Sequence, residues 1–221
     1  MKILAISDRV DEVLYSTAIR RTLGEVDLVL SCGDLPQHYL EFVVTMLGGP
    51  LFYVVGNHPQ EIKGVYEARD KWEYPKGGED LDGRAVRYRG LLIAGLQGSM
   101  RYNDNPYFQY TDREMALKMW QLAPWLVLNK MRYGRYLDIL ITHAPPYSIH
   151  DQTDLCHQGF RAFLTLMRIF RPQYLIHGHI HVYKPTQVRE TMYRNTLVIN
   201  AYGYRMLSLE EGTGRLCTTL A

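Results

Sequence analysis

The chain has little cysteine, little net charge and no long apolar run, and each shortage removes a class of protein. Cys32, Cys156 and Cys217 are its only cysteines; they cannot all pair and they make no Cys-x-x-Cys spacing. That argues for a reducing compartment. Basic and acidic residues nearly cancel, 25 against 23, for a formal net charge of +2. That balance requires no basic face of the kind that tracks a nucleic-acid backbone, so a nucleic-acid partner is disfavoured. No apolar run approaches membrane-spanning length, and no charged leader precedes the apolar Lys2–Ile6. A cytoplasmic protein without a membrane partner is the expectation. Internal repeats, low-complexity tracts and dividing linkers are absent too, and 221 residues suffice for a sizeable core, so one domain over 1–221 is expected.

What is present is a rhythm of short apolar strands. Lys2–Ser7 reads as a strand ending at Asp8, and Asp11–Leu23 as a helix stopped by Gly24. Asp27–Ser31 is a second strand, ending in Cys32-Gly33-Asp34. Pro36 opens a helix to about Leu47, as a first-turn proline does. Leu51–Val55 is a third strand, ending in Gly56-Asn57-His58. This β-α-β-α-β order implies parallel pairing.

From Pro59 to Asp80 the rhythm is lost, with some helix expected near Glu61–Arg69. Arg84–Tyr88 and Leu91–Leu96 read as strands joined at Arg89-Gly90. Gln97–Thr111 is long enough for a functional loop. Thr111 or Asp112 then caps a helix to about Trp120, continuing to Asn129 after a break at Pro124. Tyr136–Ile141 is a strand that ends in Thr142-His143. Gly159–Phe170 is an amphipathic helix whose Arg161, Arg168 and Arg171 form a solvated face. Gln173–His177 is a buried strand, and alternating strands follow near Thr186–Arg189, Thr196–Ile199, Met206–Leu209 and Leu216–Thr219.

The polar residues fall at the strand ends, where open α/β sheets place their ligands. One Asp or Asn there is a helix cap as often as not; a succession is harder to read that way. Residues two apart in extended backbone point to one side, so His179 and His181 of Gly178-His179-Ile180-His181 can aim both imidazoles at one place. Collected, Asp8, Asp34, Asn57, His58, His143, His179 and His181 make an oxygen and imidazole set without sulfur. Such a set suits manganese, iron, zinc or cobalt.

Gly33-Asp34, Gly56-Asn57-His58, Thr142-His143 and Gly178-His179-Ile180-His181, in this order behind Asp8, resemble the calcineurin-like metallophosphoesterase family. The resemblance implies an α/β fold, a four-layer α-β-β-α sandwich of two mixed sheets. It implies a metal-dependent phosphoesterase with two divalent transition-metal ions, manganese first, acting on a small phosphomonoester or phosphodiester. Asp34 would bridge the metals, Asn57, His143 and His179 would complete one site, and Asp8 and His181 the other. His58 would sit beside the phosphate as the proton donor. Two metals about 3.5–4 Å apart activate a bridging water for in-line attack.

Two departures from the family pattern stand out. Its first motif usually reads Asp-x-His, whereas Asp8-Arg9-Val10 ends in a residue that cannot ligate. Asp11 is a substitute only if it is not a cap. Pro59 stands where an acidic residue commonly follows Asn-His, with Glu61 as a stand-in. Arg101 and Tyr102 suit phosphate binding and stacking, though an ordinary surface loop explains them equally well. His177 reads as a satisfied core residue, His150 and His157 as loop residues beside the site that face solvent or else touch substrate, and Cys32 and Cys156 as small buried apolar residues. The alternative function is a non-catalytic metal-binding scaffold or interaction module, as the retromer subunit with this fold is. The intact ligand set weighs against it, because an unpaired buried polar cluster is costly.

Overall fold

The computed structural model describes residues 1–58, 74–104 and 107–209, together with the backbone of a strand at 216–219. Two six-stranded sheets form its centre. In the first the order is β14 (Leu216–Thr219), β13 (Gly203–Leu209), β1 (Lys2–Ser7), β2 (Leu28–Ser31), β3 (Leu51–Tyr53), β4 (Gly78–Asp80). In the second it is β11 (Glu190–Tyr193), β12 (Thr196–Asn200), β10 (Tyr174–His177), β9 (Ile139–Thr142), β6 (Leu91–Leu96), β5 (Ala85–Tyr88). A two-stranded pair, β7 (Ser99–Met100) with β8 (Gln109–Tyr110), folds the loop that follows β6. β1 through β4 run parallel, as do β6, β9, β10 and β12, while β13, β14, β5 and β11 pair antiparallel.

Strand alternation explains the layering. In β1, Ile3 and Ala5 enter a core shared between the sheets, where they meet Leu28, Leu30, Ile139, Ile141, Ile176 and Ile199. Leu4 and Ile6 point the other way, toward α1 (Ile19–Leu23) and α2 (Gln37–Leu47). On the far face of the second sheet, Ala94, Leu140 and Leu175 pack beneath α3 (Asp112–Tyr133) and α4 (Arg161–Phe170). The result is the α-β-β-α sandwich of two mixed sheets expected above. The parallel strands gather their carboxyl ends at one edge, and that edge carries the site.

Three elements depart from the sequence reading. The helix expected over Asp11–Leu23 shrinks to α1, because the side chains of Asp11 and Ser16 accept from the backbone of Val13 and Ala18 and so hold turns in place of helix. α3 runs unbroken through Pro124, an exposed position, at the cost of one helical hydrogen bond. The edge strand expected at Thr186–Arg189 forms instead as β11 at Glu190–Tyr193. The Thr111 cap is a full capping box with Glu114. The helix expected at Glu61–Arg69, and the placements of Pro59 and Glu61, lie outside the described residues.

Candidate metal centre

The ligand residues leave their strands through unusual backbone. Asp8, Asp34 and His179 have φ of 63°, 54° and 65°, in the left-handed region that non-glycine residues seldom adopt. Each turns the chain off its sheet as the strand ends, so the side chain stands over the edge. Close approach is made possible by glycine. A Cβ on Gly56 would collide with the Asp34 carboxylate and the His143 ring, and one on Gly178 with Ser7 Oγ and Asp8 Oδ2.

At the centre lie Asp34, His143 and His179, whose ligand atoms are all within 4.8 Å of one another. Both imidazoles are held by backbone carbonyls. His143 Nδ1 bonds the Cys32 carbonyl at 2.8 Å, and His179 Nε2 bonds the Cys156 carbonyl at 2.8 Å. A carbonyl can only accept, so each ring carries its proton there and keeps its other nitrogen for the site. His143 Nε2 lies 3.2 Å from Asp34 Oδ2 and 2.9 Å from Asn57 Oδ1. Two oxygens converging on one nitrogen suit a shared cation, a proton or a metal. The residues present therefore fit a divalent metal ion, with Asp34, Asn57, His143 and His179 as the donors.

The electrostatics match that reading. Burial pulls the His143 imidazole down, but the Asp34 carboxylate outweighs it through charge and hydrogen bond and lifts the pKa to about 9. Burial likewise pushes Asp34 up, and His143 more than reverses this, leaving the carboxyl below its usual range. His179 is pressed to about 3 by burial and by the neighbouring His143. Asp8 is raised to about 6, mainly by burial.

A family model described as calcineurin-like phosphoesterase matches residues 1–183. The chain belongs to that family. Among solved structures it is similar to TT1561 of Thermus thermophilus, with a TM-score of 0.61 at 16% identity, covering 99% of this chain and 97% of that one. It is also similar to GAP50, described as the anchor in the inner membrane complex of Plasmodium, with a TM-score of 0.56 at 13% identity over 99% of this chain and 87% of that one. Both likenesses are likenesses of fold. No curated protein matches.

The other residues singled out for this calcineurin-like phosphoesterase take varied positions. Asp8 is beside the cluster, its carboxylate held by the backbone N–H of His179. His58 is exposed and its backbone N–H donates to Asp34 Oδ1 at 2.9 Å. His181 has Nδ1 2.7 Å from the Tyr183 hydroxyl and its ring against Tyr202, and it feels the charges of His157, Asp34, His143 and His58. Val10 is exposed, and Asp11 is taken up by Arg9 at 2.6 Å and by the Val13 N–H, as a local cap is. Arg101 is tied to Glu114 and the Gln109 carbonyl, so the loop reaches the centre through its neighbour: Asn57 Nδ2 donates to the Tyr102 hydroxyl at 3.4 Å.

His150, expected to face solvent or touch substrate, instead bonds His177 at 2.9 Å and Thr191 at 2.9 Å, and burial presses its pKa to about 4. His157 pairs with Asp154 at 2.7 Å, its ring 5.2 Å from that of His179. Cys32 is buried and Cys156 half-buried, both free. Sequence reasoning missed the Cys32 and Cys156 carbonyls, since a backbone acceptor leaves no trace in residue type. It also missed Tyr183 and Tyr202, whose aromatic character alone signalled nothing. Among the described residues no helix is long and apolar enough to cross a membrane.

Proposed function

We propose that the chain hydrolyses a small phosphomonoester or phosphodiester with divalent transition-metal ions, manganese first among them, held at the Asp34–His143–His179 centre. The observation that carries this reading is that backbone carbonyls hold both His143 and His179 beside Asp34. Each gives one ring N–H to a backbone carbonyl and so has its other nitrogen left to ligate, and the ligand atoms of both residues and Asp34 lie within 4.8 Å of one another. Metal bound there supplies Lewis acidity for the phosphoryl oxygens and an activated water.

The chain's own residues do the rest. Asp34 supplies the negative charge that anchors the centre, and it fixes the backbone of His58 through the 2.9 Å bond. To the exposed His58 side chain this reading gives the role of meeting the substrate and protonating the leaving oxygen. Asn57 is oriented between His143 Nε2 and the Tyr102 hydroxyl, so its carboxamide holds one position at the mouth of the site.

The second reading, a scaffold that keeps the fold, is favoured by Val10, which cannot ligate where the family usually has a histidine. Reconstitution separates the two. Protein stripped by chelation and supplied in turn with manganese, iron, zinc and cobalt is assayed on p-nitrophenyl phosphate and bis-p-nitrophenyl phosphate. Turnover with at least one metal, abolished by Asp34→Asn, is expected; inactivity with all four would favour the scaffold.

A further inference from the structure

Three rings touch at the sheet edge that bears the metal centre. His181 lies 4.8 Å from Tyr202, centroid to centroid, and 5.7 Å from Tyr183, and the two tyrosines are 6.4 Å apart. The Arg9 guanidinium stands 5.8 Å over the Tyr202 ring. Tyr202 makes a β-bridge to Ser7, the residue before Asp8. His181 ties the cluster to the centre, since its imidazole feels the charges of His157, Asp34 and His143.

The backbone around these rings is pinned. Tyr202 N–H donates to Asn200 Oδ1 at 2.8 Å, and the Tyr202 carbonyl accepts from Arg189 at 2.6 Å. Asn200 is buried, and its Nδ2 donates to the Ile180 carbonyl at 2.8 Å. One side chain therefore fixes both Tyr202 and the turn that carries His181. The Tyr183 hydroxyl is 2.7 Å from His181 Nδ1, so this ring is held at its far end, yet the residue is 78% exposed. A tyrosine that packs for stability hides its ring; Tyr183 is held in place with its face bare. An aromatic face fixed in advance binds a ligand at low entropic cost.

We propose that Tyr183, with Tyr202 and Arg9 beside it, receives the organic group of the phosphate ester, and that this group is a flat aromatic or heteroaromatic ring. The inference rests on the phosphoesterase reading above. An ester whose phosphoryl group is held at the centre extends its organic arm over the rim. Here the rim offers aromatic faces and a guanidinium plane, both of which stack on flat π-systems. The Tyr183 hydroxyl is engaged by His181, and Arg9 is paired with Asp11 at 2.6 Å. Flat faces are thus what the cluster mainly presents, and they suit a planar ring better than a polyol, which needs free hydrogen-bonding ends.

Benzylphosphonate and cyclohexylmethylphosphonate test this, since neither is hydrolysed, both carry a methylene between phosphorus and ring, and only the first ring is flat. Calorimetric titration into manganese-loaded protein should show benzylphosphonate binding roughly three- to tenfold more tightly, the worth of an aromatic pair beyond its buried area. A merely apolar patch would reverse the order, because cyclohexyl is the more apolar ring. Tyr183→Leu keeps bulk without a π face, so the preference should disappear; Tyr183→Phe keeps the face and should keep most of it. Comparing the two ligands on each variant cancels any effect on the metals through His181. Equal binding, tighter binding of the cyclohexyl ligand, binding of neither, or a preference that survives Tyr183→Leu overturns the proposal. Turnover of benzyl phosphate separates it from the reading it rests on. Ring preference without turnover would sink the phosphoesterase reading and leave the aromatic subsite standing, whereas turnover without ring preference would sink the subsite alone.

Discussion

Asp8 and His179 sit on different sheets, yet the backbone N–H of His179 donates to both carboxylate oxygens of Asp8, at 3.0 and 2.9 Å. Each residue is the centre of a three-residue turn of the strained, positive-φ kind. Arg9 N–H bonds the Ser7 carbonyl around one, and Ile180 N–H bonds the Gly178 carbonyl around the other, both at 2.7 Å. Strain of this sort costs about 1–3 kcal/mol per residue. It is offset here by a contact that clamps the two sheets together at the edge bearing the metal centre.

Gly178 is the gap through which that clamp closes. A methyl group there would run into Ser7 Oγ and Asp8 Oδ2, and Ser7 is fully buried with no room to retreat. Gly178→Ala is therefore expected to lower stability by about 1–3 kcal/mol, the usual cost of overpacking, and to reduce metal content. Thermal melts and metal analysis read both. An unchanged melting temperature would mean that the sheets are not held together here.

Metal binding should release a proton. In the metal-free protein Asp34 keeps His143 protonated, against the pull of burial, up to a pKa of about 9. A metal-ligating imidazole is neutral, so at pH 7 close to one proton leaves as the ion enters. The release should fade as pH rises through about 9. Calorimetric titration in buffers of different ionisation enthalpy measures it; a binding heat that is independent of the buffer would remove His143 from the ligand set or its proton from the pair.

How much of this could be read from residues alone depends on where the signal lies. Asp34, His143 and His179 were legible because parallel strands end at one edge and each strand ended in a ligand type. The four layers came with the family resemblance; the strand pattern itself carried only the parallel β-α-β-α-β order of the first half. The turns at Asp8 and His179 were not legible, since nothing in their residue type announces a positive φ. Nor was the helix at Asp11–Leu23 correctly bounded, because the Asp11 and Ser16 side chains compete for backbone N–H groups only once the turn exists. His150 was misplaced for a similar reason: its partner His177 is 27 residues away, and only the fold joins them.

That pair makes acid stability a second measurable. His150 is lowered to about 4 by burial, and His177 lies well below its ordinary value through burial and the neighbouring His150. A lowered folded pKa contributes stability that is present above the unfolded value of 6.5 and lost as pH falls. His179, at about 3, acts in the same direction. Asp8 opposes them, because its raised pKa of about 6 favours the folded state as pH falls from there toward 3.8. His181 is lowered as well and Asp80 raised, so four imidazoles against two carboxyls should make metal-free protein less stable from pH 6.5 down to about 4, by up to about 1.4 kcal/mol per pH unit for a fully buried histidine such as His177. Chelator-treated melts across that range should show a falling melting temperature, and a flat profile would mean that the imidazoles protonate in place.

His58 and Asp34 should separate when each is changed. Asp34→Asn removes the charge that anchors the centre, so metal and activity should both be lost. His58→Ala leaves the backbone N–H that bonds Asp34 in place, so metal content should hold while turnover slows by about 10²–10⁴-fold, the scale of a missing proton donor. Loss of metal from His58→Ala would make it a ligand instead.

The last expectation concerns Val10, where the family usually has a histidine. Four donors, Asp34, Asn57, His143 and His179, are already gathered around one place. A second ion would have Asp8, whose oxygens accept from the His179 N–H, and His181, whose Nδ1 is engaged by Tyr183. Asp11 cannot make up the shortfall, because Arg9 and the Val13 N–H already hold its carboxylate. Metal titration of the stripped protein should therefore show one tight equivalent and a second that is weaker and exchanges readily. Val10→His restores a donor beside Asp8 and should tighten the weaker step, leaving the first unchanged. Stoichiometry at limiting metal is the readout, since activity can move either way when a site holds its ion more firmly. Two equivalents of equal affinity in the unaltered chain would require a ligand other than those named, and a Val10→His titration identical to it would mean that the side chain at position 10 does not face the centre.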